Sequence, residues 1–309
     1  MPTQTTRSPA ALARIPLERR VLGSALGRPA IEEARGPSPF IKWAGGKGRL
    51  MAQLTPLLPA GIERMRHVEP FMGGAAFFFA RRPERALLCD VNRSLVDTYL
   101  AVQGEVESVI EALEGLSLAH ASGDGVYYRV RERYNTSRGE VPRAERAAMF
   151  VYLNKTCFNG LHRVNRRGEF NVPEGRYESP RILDEDALRL ASAALRRAEI
   201  KHAPFENLLE SARPGDFVYL DPPYAPVSET ASFTAYADEG FGHADQMRLR
   251  DVVVDLDRRG CRIMLSNSDV PSIRELYAGF HIDTVRAPRA ISATGSGRSA
   301  VSEVVVRNY

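Results

Sequence analysis

Short apolar segments alternate with helical patterns along most of this 309-residue chain, and this alternation restricts the possible folds more than any other feature. From Arg66, "RHVEPF" predicts a strand, "GGAAFFFARR" a helix and "RALLCD" a second strand. The run from Ser94 to Leu116 then keeps apolar residues at helical spacing and predicts one long helix. Strands that alternate with helices form a mostly parallel sheet, because each crossover helix packs on a face of it. We therefore predict a doubly wound α/β fold.

The alternation stops in the middle of the chain. Residues Tyr127 to Cys157 have a helical pattern with one polar break, and Phe158 to Pro180 are rich in Asn, Gly and Arg without a helical face. The pattern resumes with a helix near Glu185, and "EIKHA", "DFVYL" and "CRIMLSN" predict three more strands, with helices from Phe205 and from His243 to about Arg258 between them. It ends with "FHIDTVRA" and "SEVVVRNY", two strands that could pair antiparallel. The chain is thus predicted to have three parts: a disordered basic extension at 1–36, an α/β domain formed by 37–114 and 184–309, and a mostly helical insertion at 115–183.

Positive charge is concentrated in the predicted insertion. The whole chain has a net charge of +4, whereas the segment from Arg129 to Arg181 has twelve Lys or Arg, six Glu and no Asp. A basic segment in a nearly neutral protein favours a surface that binds a polyanion such as nucleic acid. A solvated charged face would give the same count, so charge alone leaves both interpretations open.

Several classes of protein are disfavoured by the composition. The longest apolar runs, such as Ala147 to Leu153, are far shorter than the roughly 18 residues of a membrane helix. The three cysteines, Cys89, Cys157 and Cys261, are far apart and form no CxxC pair, which favours a reducing cytoplasm and neither a disulfide framework nor a zinc site. The six histidines show no ligand spacing, so we expect no metal.

A glycine-rich turn and an acid indicate a cofactor site. Gly73 and Gly74 follow the first strand, where the missing side chains let backbone N–H groups approach a ligand. Asp90 ends the second strand, where a carboxylate can hold the ribose hydroxyls of a cofactor. This pair fits NAD and S-adenosylmethionine equally, and Asp90 could instead be the N-cap of the next helix. Trp43, beside a Gly-Gly turn, could be a core residue or a platform facing the ligand.

The tetrapeptide "DPPY" is the most specific motif. Asp221 ends a buried strand, where an unpaired carboxylate would be costly. Pro222 and Pro223 remove two N–H donors and leave the carbonyl of Pro222 rigidly aimed. Carboxylate and carbonyl are two acceptors for one amine, and Tyr224 adds a flat face for a planar base. The motif favours a pocket for the amino group of a nucleobase over a simple turn that ends a strand.

Five blocks in this order resemble the Dam-type DNA adenine-N6 methyltransferases of the D12 class, whose members include GATC-recognising enzymes. The blocks are "FIKWAGGK", "VEPFMGGAA", "LLCDVN", "NKTCFNGLHRVNRRGEFNVPEGRY" and "YLDPPYAPVSETASFTAY", and the resemblance extends from about Pro39 to Tyr309. It implies a Rossmann-like methyltransferase fold in which 37–114 and 184–309 bind S-adenosylmethionine and 115–183 recognise the DNA target. It also implies a cytoplasmic, monomeric enzyme without a membrane segment that acts on double-stranded DNA.

The resemblance assigns roles to individual residues. Asp221, Pro222, Pro223 and Tyr224 form the catalytic tetrapeptide that holds a flipped adenine. The residues implied to bind the cofactor are Trp43, Lys47, Glu69, Phe71, Gly73, Asp90 and Asp221. The residues implied to read or fill the DNA site are Lys42, Phe158, Asn159, Leu161, Arg163, Pro173 and Tyr177. Arg163 can read guanine bidentately, Leu161 and Pro173 can contact a thymine methyl, and Phe158 can fill the stack that base flipping opens.

Two other functions compete with this prediction. The chain could be an amino methyltransferase for cytosine N4, RNA or a protein glutamine, or a DNA-binding regulator without catalysis. The aspartate that begins the tetrapeptide and the DNA-reading block favour adenine in duplex DNA, and a pure binder would need neither Asp221 nor Lys47. Direct attack of the amine on the sulfonium methyl needs no covalent enzyme intermediate, so none of the cysteines is interpreted as a nucleophile. Whether a cognate restriction endonuclease accompanies the protein is left open.

Overall fold

Strands from both ends of the chain meet in one mixed sheet. The computed structural model describes residues 36–123, 125–137, 139–227, 241–287 and 301–309, and these residues form a seven-stranded sheet of order β3-β2-β1-β4-β5-β7-β6. Neighbours from β3 to β5 are parallel, whereas β7 is antiparallel to both β5 and β6. The strands are β1 (His67–Glu69), β2 (Ala86–Asp90), β3 (Ala198–His202), β4 (Phe217–Leu220), β5 (Arg262–Ser268), β6 (His281–Ala287) and β7 (Val301–Arg307).

Helices cover the sheet and form the middle of the chain. The α-helices are α1 (Met51–Leu54), α2 (Ala76–Arg81), α3 (Arg93–Gly104), α4 (Val106–Ala121), α5 (Val126–Thr136), α6 (Arg143–Thr156), α7 (Glu185–Leu195), α8 (Leu208–Ser211), α9 (His243–Arg258) and α10 (Pro271–Leu276). Short 3-10 turns occupy Lys47–Arg49, Thr55–Leu57, Ile62–Arg64, Phe158–Gly160 and Phe205–Asn207. Within the described ranges, no helix is long and apolar enough to cross a membrane.

The doubly wound α/β prediction is confirmed by the strand order. From β1 the chain adds β2 and β3 on one side, and then returns to add β4 and β5 on the other side. The order therefore reverses between β1 and β4, which pair through His67 with Phe217 and Val68 with Val218. At such a reversal the connections leave towards opposite faces, and a crevice opens beyond the carboxyl ends of the strands. The ends of these two strands are Glu69 and Leu220, so Asp221 follows directly at the crevice.

The predicted single helix from Ser94 to Leu116 is wrong. The structure has two helices, because Glu105 leaves the helical conformation with φ −136° and ψ 34° between α3 and α4. Gly104 precedes this break, and glycine has one of the lowest helix propensities. Apolar spacing continues through the break, since both helices face the same core, and spacing alone therefore could not reveal it. Helix α10 and the short turns at residues 47–57 were not predicted.

The basic middle segment shares a core with the sheet domain. Helices α5 and α6 are confirmed, and Ala148 and Phe150 of α6 belong to the same buried cluster as Tyr99 and Val102 of α3. After α6 the chain is irregular, with single antiparallel bridges between Cys157 and Glu174 and between Val164 and Phe170. The predicted boundary at residue 115 lies inside α4, and the division into two domains stays a prediction. The predicted extension, apart from Gly36, lies outside the described residues.

A buried ion pair fixes the start of β4. The guanidinium of Arg66 donates to both carboxylate oxygens of Asp216, at 3.1 Å and 2.5 Å, and the carboxylate also accepts from the N–H of Arg213 at 2.8 Å. The carboxylate raises the pKa of the Arg66 guanidinium, although burial opposes this shift. Because Asp216 directly precedes β4, the pair aligns the strand that carries the tetrapeptide.

We expect Asp216→Ala to lower the free energy of unfolding by about 1 to 3 kcal/mol, because the half-buried guanidinium of Arg66 loses its carboxylate and keeps only the carbonyl of Ser211 as acceptor. Urea unfolding measures the difference. The matched control is Asp255→Ala, which removes an exposed pair with Arg258 and should change the free energy by less than about 1 kcal/mol. Equal effects of the two substitutions would contradict a structural role for the Arg66–Asp216 pair.

Candidate functional site

A cleft of about 830 Å³ lies at the point where the strand order reverses. Its volume is within the range of small-molecule sites, about 300 to 1,000 Å³. The cleft brings together every residue predicted for catalysis or cofactor binding: Trp43, Lys47, Glu69, Phe71, Gly73, Asp90, Asp221, Pro222, Pro223 and Tyr224. Residues that are up to 181 positions apart in the sequence therefore share one cavity, as expected for the carboxyl edge of a doubly wound sheet.

Asp221 is paired with a buried lysine. The Nζ atom of Lys47, whose side chain is 5% exposed, lies 2.7 Å from Oδ1 of Asp221 and donates to the carbonyl of Gly45 at 2.7 Å. Burial raises the pKa of Asp221 to about 6, and the charge and hydrogen bond of Lys47 act in the opposite direction. The pair explains how a carboxylate is tolerated at the end of a buried strand, and the burial makes this carboxylate more basic than an ordinary aspartate.

Buried polar side chains hold the backbone of the tetrapeptide. Gln246 of α9 donates to the carbonyl of Pro223 at 3.0 Å, and Asn267 of β5 accepts from the N–H of Ala225 at 3.0 Å. Asn267 also donates to Gln246 at 3.0 Å, and Ser268 donates to the carbonyl of Ala225 at 2.6 Å. These three side chains were missed by the sequence analysis, although the polar run Ser266 to Ser268 inside a buried strand was a usable signal. The network fixes the loop after Asp221.

Tyr224 is held by a second acid that the sequence analysis also missed. Its hydroxyl donates to Oε2 of Glu303 at 2.7 Å, and Nζ of Lys47 lies 4.8 Å from the centre of its ring. Glu303 belongs to β7 and lines the same cleft. Burial and the nearby carboxylates raise the pKa of Tyr224 well above its ordinary value, so the phenol stays protonated at neutral pH. Tyr224 therefore presents a fixed neutral ring.

Asp90 organises the other end of the cleft. Its carboxylate accepts the N–H of Gly73 at 3.0 Å and the N–H of Asn92 at 2.8 Å. The alternative role as an N-cap is wrong, because the side chain of Asn92 caps α3 by accepting from the N–H of Leu95 at 3.0 Å. Burial raises the pKa of Asp90, and the hydrogen bonds to backbone N–H groups oppose the shift.

The glycine turn and Trp43 are in direct contact. Gly73 has φ +47°, a conformation that favours glycine, and a Cβ atom there would lie 2.7 Å from Cδ1 of Trp43. The indole is half-buried and lines the cleft, so the platform interpretation agrees with its position. Glu69 is fully buried, and its carboxylate lies 2.5 Å from Nε2 of His67, which leaves it inside the floor of the cleft.

The seven residues predicted to contact DNA lie outside this cleft, mostly on the irregular segment after α6. Phe158, Leu161 and Tyr177 expose 49%, 37% and 38% of their surface, and grouped exposed apolar side chains can mark an interaction surface. Nζ of Lys42 lies 3.2 Å from the hydroxyl of Tyr177, so the fold brings together two predicted contacts that are 135 positions apart in the sequence.

The remaining residues of this set have defined backbone or side-chain positions. Arg163 is exposed, and its Nε donates to Oδ1 of Asn171 at 2.8 Å. Asn159 is exposed and has φ +55°, and the carbonyl of Pro173 accepts from the N–H of Phe158 at 2.9 Å. The set thus forms an accessible surface of mixed aromatic, apolar and basic character.

None of the three cysteines of the described residues lines the cleft. Cys89, Cys157 and Cys261 are buried, and burial raises the pKa of each thiol to about 11. At neutral pH they are therefore protonated, whereas the thiolate is the nucleophilic form. In the described part of the chain, no group of three or more His, Cys, Asp or Glu could hold a metal ion. The expected absence of a metal stays a prediction.

Known proteins are similar to this chain over most of its length. A family model described as "D12 class N6 adenine-specific DNA methyltransferase" matches residues 43–291. The chain is 40% identical over 285 residues to "Type II methyltransferase M.MjaIII" of Methanocaldococcus jannaschii, covering 88% of this chain and 99% of the relative. It is 40% identical over 277 residues to "Type II methyltransferase M1.LlaDCHI" of Lactococcus lactis subsp. cremoris, covering 88% and 95%. It is 35% identical to the "DNA adenine methylase" of Escherichia coli strain K12, covering 86% and 93%.

We expect Gly73→Ala to displace Trp43, because the added Cβ cannot remain 2.7 Å from the indole and alanine is strained at positive φ. Trp43 is the only tryptophan, so its fluorescence emission should shift in this variant, and the free energy of unfolding should fall by about 1 to 2 kcal/mol. Gly115→Ala is the matched control, since a Cβ there meets no atom within 4 Å. An unshifted emission maximum in Gly73→Ala would refute the contact.

Proposed function

The chain belongs to the D12 class of N6 adenine-specific DNA methyltransferases, and we propose that its methyl donor is S-adenosylmethionine and its target the adenine of GATC in duplex DNA. The observation that carries the proposal is that Asp221 and Pro222, adjacent in the chain, both line the cleft. Among the described residues no donor reaches this carbonyl, whereas the carbonyl of Pro223 is held by Gln246. One carbonyl is thus left for a substrate amine.

The tetrapeptide acts on N6 of an adenine that has left the stack. The lone pair of this nitrogen is delocalised into the ring, so attack on the methyl group requires positive charge to develop on the amine. Hydrogen bonds from N6 to Asp221 and to the carbonyl of Pro222 stabilise that charge in the transition state. Asp221, with its pKa raised to about 6, is also able to accept the proton that N6 loses. The ring of Tyr224, fixed by Glu303, supplies the stacking face.

The other end of the cleft fits the methyl donor. S-adenosylmethionine supplies an activated methyl group on a positively charged sulfur. Asp90 is placed to hold ribose hydroxyls, because its carboxylate is fixed by two backbone N–H groups. The missing side chain of Gly73 would let the backbone approach the methyl donor closely. The stacked rings of Phe71 and Phe205, with centroids 5.5 Å apart, would form an apolar wall against it. Lys47 contacts the tetrapeptide directly through its ion pair with Asp221.

The exposed surface after α6 is proposed to read the DNA. Arg163 would contact guanine bidentately, and Leu161 and Pro173 would contact a thymine methyl. Phe158, with Asn159, would fill the space left by the flipped adenine. Lys42 and Tyr177, which contact each other, would add further contacts to the DNA site. The exposed side chains and the excess of basic residues support these roles.

The chain is proposed to have two functional domains. We propose that 37–114 and 184–309 form the catalytic domain, that 115–183 form the target-recognition domain, and that the enzyme acts on double-stranded DNA as a monomer. The cytoplasmic location is also a prediction, which the cysteine usage supports. The names of two relatives, "Type II methyltransferase", support a cognate restriction endonuclease as a partner.

We expect the purified protein to transfer labelled methyl groups from S-adenosylmethionine to a duplex that contains GATC. Transfer to duplexes with one changed base pair in the site should fall by about one to two orders of magnitude for each lost bidentate contact. Asp221→Ala should abolish transfer but leave binding of the GATC duplex nearly unchanged. Equal labelling of all duplexes would refute the GATC specificity, and an active Asp221→Ala variant would refute the role of Asp221.

We expect methyl transfer to decline as the pH falls through about 6, because protonated Asp221 has lost the negative charge that stabilises the developing positive charge on N6. Lys47 lowers the pKa of Asp221, so Lys47→Met should move the midpoint to higher pH. Arg49→Met, which removes an exposed cation from the same turn, should leave the midpoint unchanged. The measurement is kcat/KM between pH 5 and 9. A midpoint that stays fixed in Lys47→Met would contradict this coupling.

A further inference from the structure

His162 contacts both the cofactor end of the cleft and the predicted DNA-reading segment. Its imidazole stacks on the indole of Trp43, with ring centroids 5.5 Å apart and an angle of 28° between the planes. The indole in turn lies against Gly73, where a Cβ atom would be 2.7 Å away. Along the chain, His162 stands between Leu161 and Arg163. A ligand at the glycine turn is therefore one aromatic ring away from the residue that links the two predicted readers.

A second, independent contact connects His162 to Asp90. Nδ2 of Asn92 lies 3.3 Å from Nδ1 of His162, and the N–H of Asn92 donates to Asp90 at 2.8 Å. Because Oδ1 of Asn92 accepts from Leu95, its amide nitrogen faces the imidazole and donates to it. Burial lowers the pKa of His162, which keeps Nδ1 available as an acceptor at neutral pH. Two separate routes thus run from the cofactor residues to one imidazole.

The backbone on either side of His162 is held by contacts within the segment, such as Cys157 to the carbonyl of Leu161 and Arg163 to Asn171, whereas the imidazole faces the cofactor residues. His162 also packs against the rings of Phe150 and Phe170, with centroids 5.6 Å and 5.8 Å away. Beyond it, a second cleft of about 800 Å³ separates the segment from α3 and from the start of α6, and Val164 exposes 46% of its surface there. On the side of the segment that faces this cleft, His162 is the residue that contacts Trp43 and Asn92, so it connects the segment to the cofactor end.

We propose that His162 is a positioning residue that couples cofactor binding to DNA target reading. A cofactor that orders Trp43 and Asp90 orders the imidazole through the stack and through Asn92, and thereby fixes Leu161 and Arg163 for the DNA. Coupling of this kind is reciprocal, so DNA must tighten cofactor binding by the same factor. The inference rests on the proposed function, since it assigns Asp90 and Trp43 to the cofactor and Leu161 and Arg163 to the target.

The test measures this coupling factor with S-adenosylhomocysteine, which binds without turnover, and a GATC duplex. For the wild type we expect S-adenosylhomocysteine to tighten binding of the duplex by about 5-fold or more, which is the lower end of typical allosteric coupling. In His162→Ala the factor should fall to about 1 while thermal unfolding stays cooperative. If His162 were merely structural, the substitution would weaken the binding of each ligand separately and leave the coupling factor unchanged.

Further variants separate the two routes. His162→Phe keeps a stacking ring without the acceptor, and His162→Asn keeps an acceptor near Nδ1 without the ring, so both should show intermediate coupling. Asn92→Ser retains an N-cap hydroxyl, but its side chain cannot reach the imidazole. If His162→Ala fails to fold, a lowered coupling factor in Asn92→Ser tests the same connection. His120→Ala is the matched control, because this histidine bonds Tyr152 of α6 at 2.9 Å and does not line the cleft.

Two results would overturn the proposal. One is a wild type that transfers methyl groups to GATC but binds the two ligands independently, and the other is an undiminished coupling factor in His162→Ala and Asn92→Ser. Both leave the proposed function intact. A wild type that neither binds the duplex nor transfers methyl groups would instead refute the proposed function, and the coupling with it.

Discussion

The reversal of strand order between β1 and β4 is the constraint on which the rest of the site depends. Parallel strands that lead to opposite faces leave a crevice at their carboxyl ends, and the chain places Asp90 and Asp221 there. A carboxylate at the end of a buried strand is costly unless it has a partner. Lys47 supplies that partner for Asp221 from a turn before β1, while backbone N–H groups supply it for Asp90. Topology thus creates the cleft, and an ion pair and backbone hydrogen bonds offset the cost of burying its two carboxylates.

The reaction centre and the proposed reading surface differ in how firmly they are held. Around the tetrapeptide, Gln246, Asn267 and Ser268 are buried and satisfy one another and the loop backbone. A buried polar network of this kind specifies one geometry, because each broken bond leaves an unsatisfied group in the interior. The reading surface exposes Phe158, Leu161 and Tyr177 instead. A rigid centre suits in-line methyl transfer, and an exposed surface suits adjustment to a DNA duplex.

Most of the fold was predictable because the chain uses local patterns consistently. Short apolar runs predicted all seven strands of the described residues, and period-3.6 spacing predicted most of the long helices. The break at Glu105 was missed, since both helices keep their apolar faces on the same core. All predicted catalytic and cofactor residues line one cleft because they stand at strand ends or in turns. Glu303 and Gln246 could not be identified, as they lie in ordinary amphipathic segments and gain a role only through their partners.

The sequence by itself determined the order of strands and helices, the acids at strand ends and, through its motifs, the family. Such features depend on neighbours within a few residues, so the amino-acid pattern carries them directly. Only the tertiary structure decided which groups meet across the fold. The Lys47 to Asp221 pair, the Tyr224 to Glu303 hydrogen bond and the stack of Trp43 on His162 join residues 79 to 174 positions apart. Their distances follow from how the sheet, the helices and the middle segment pack, which no local pattern encodes.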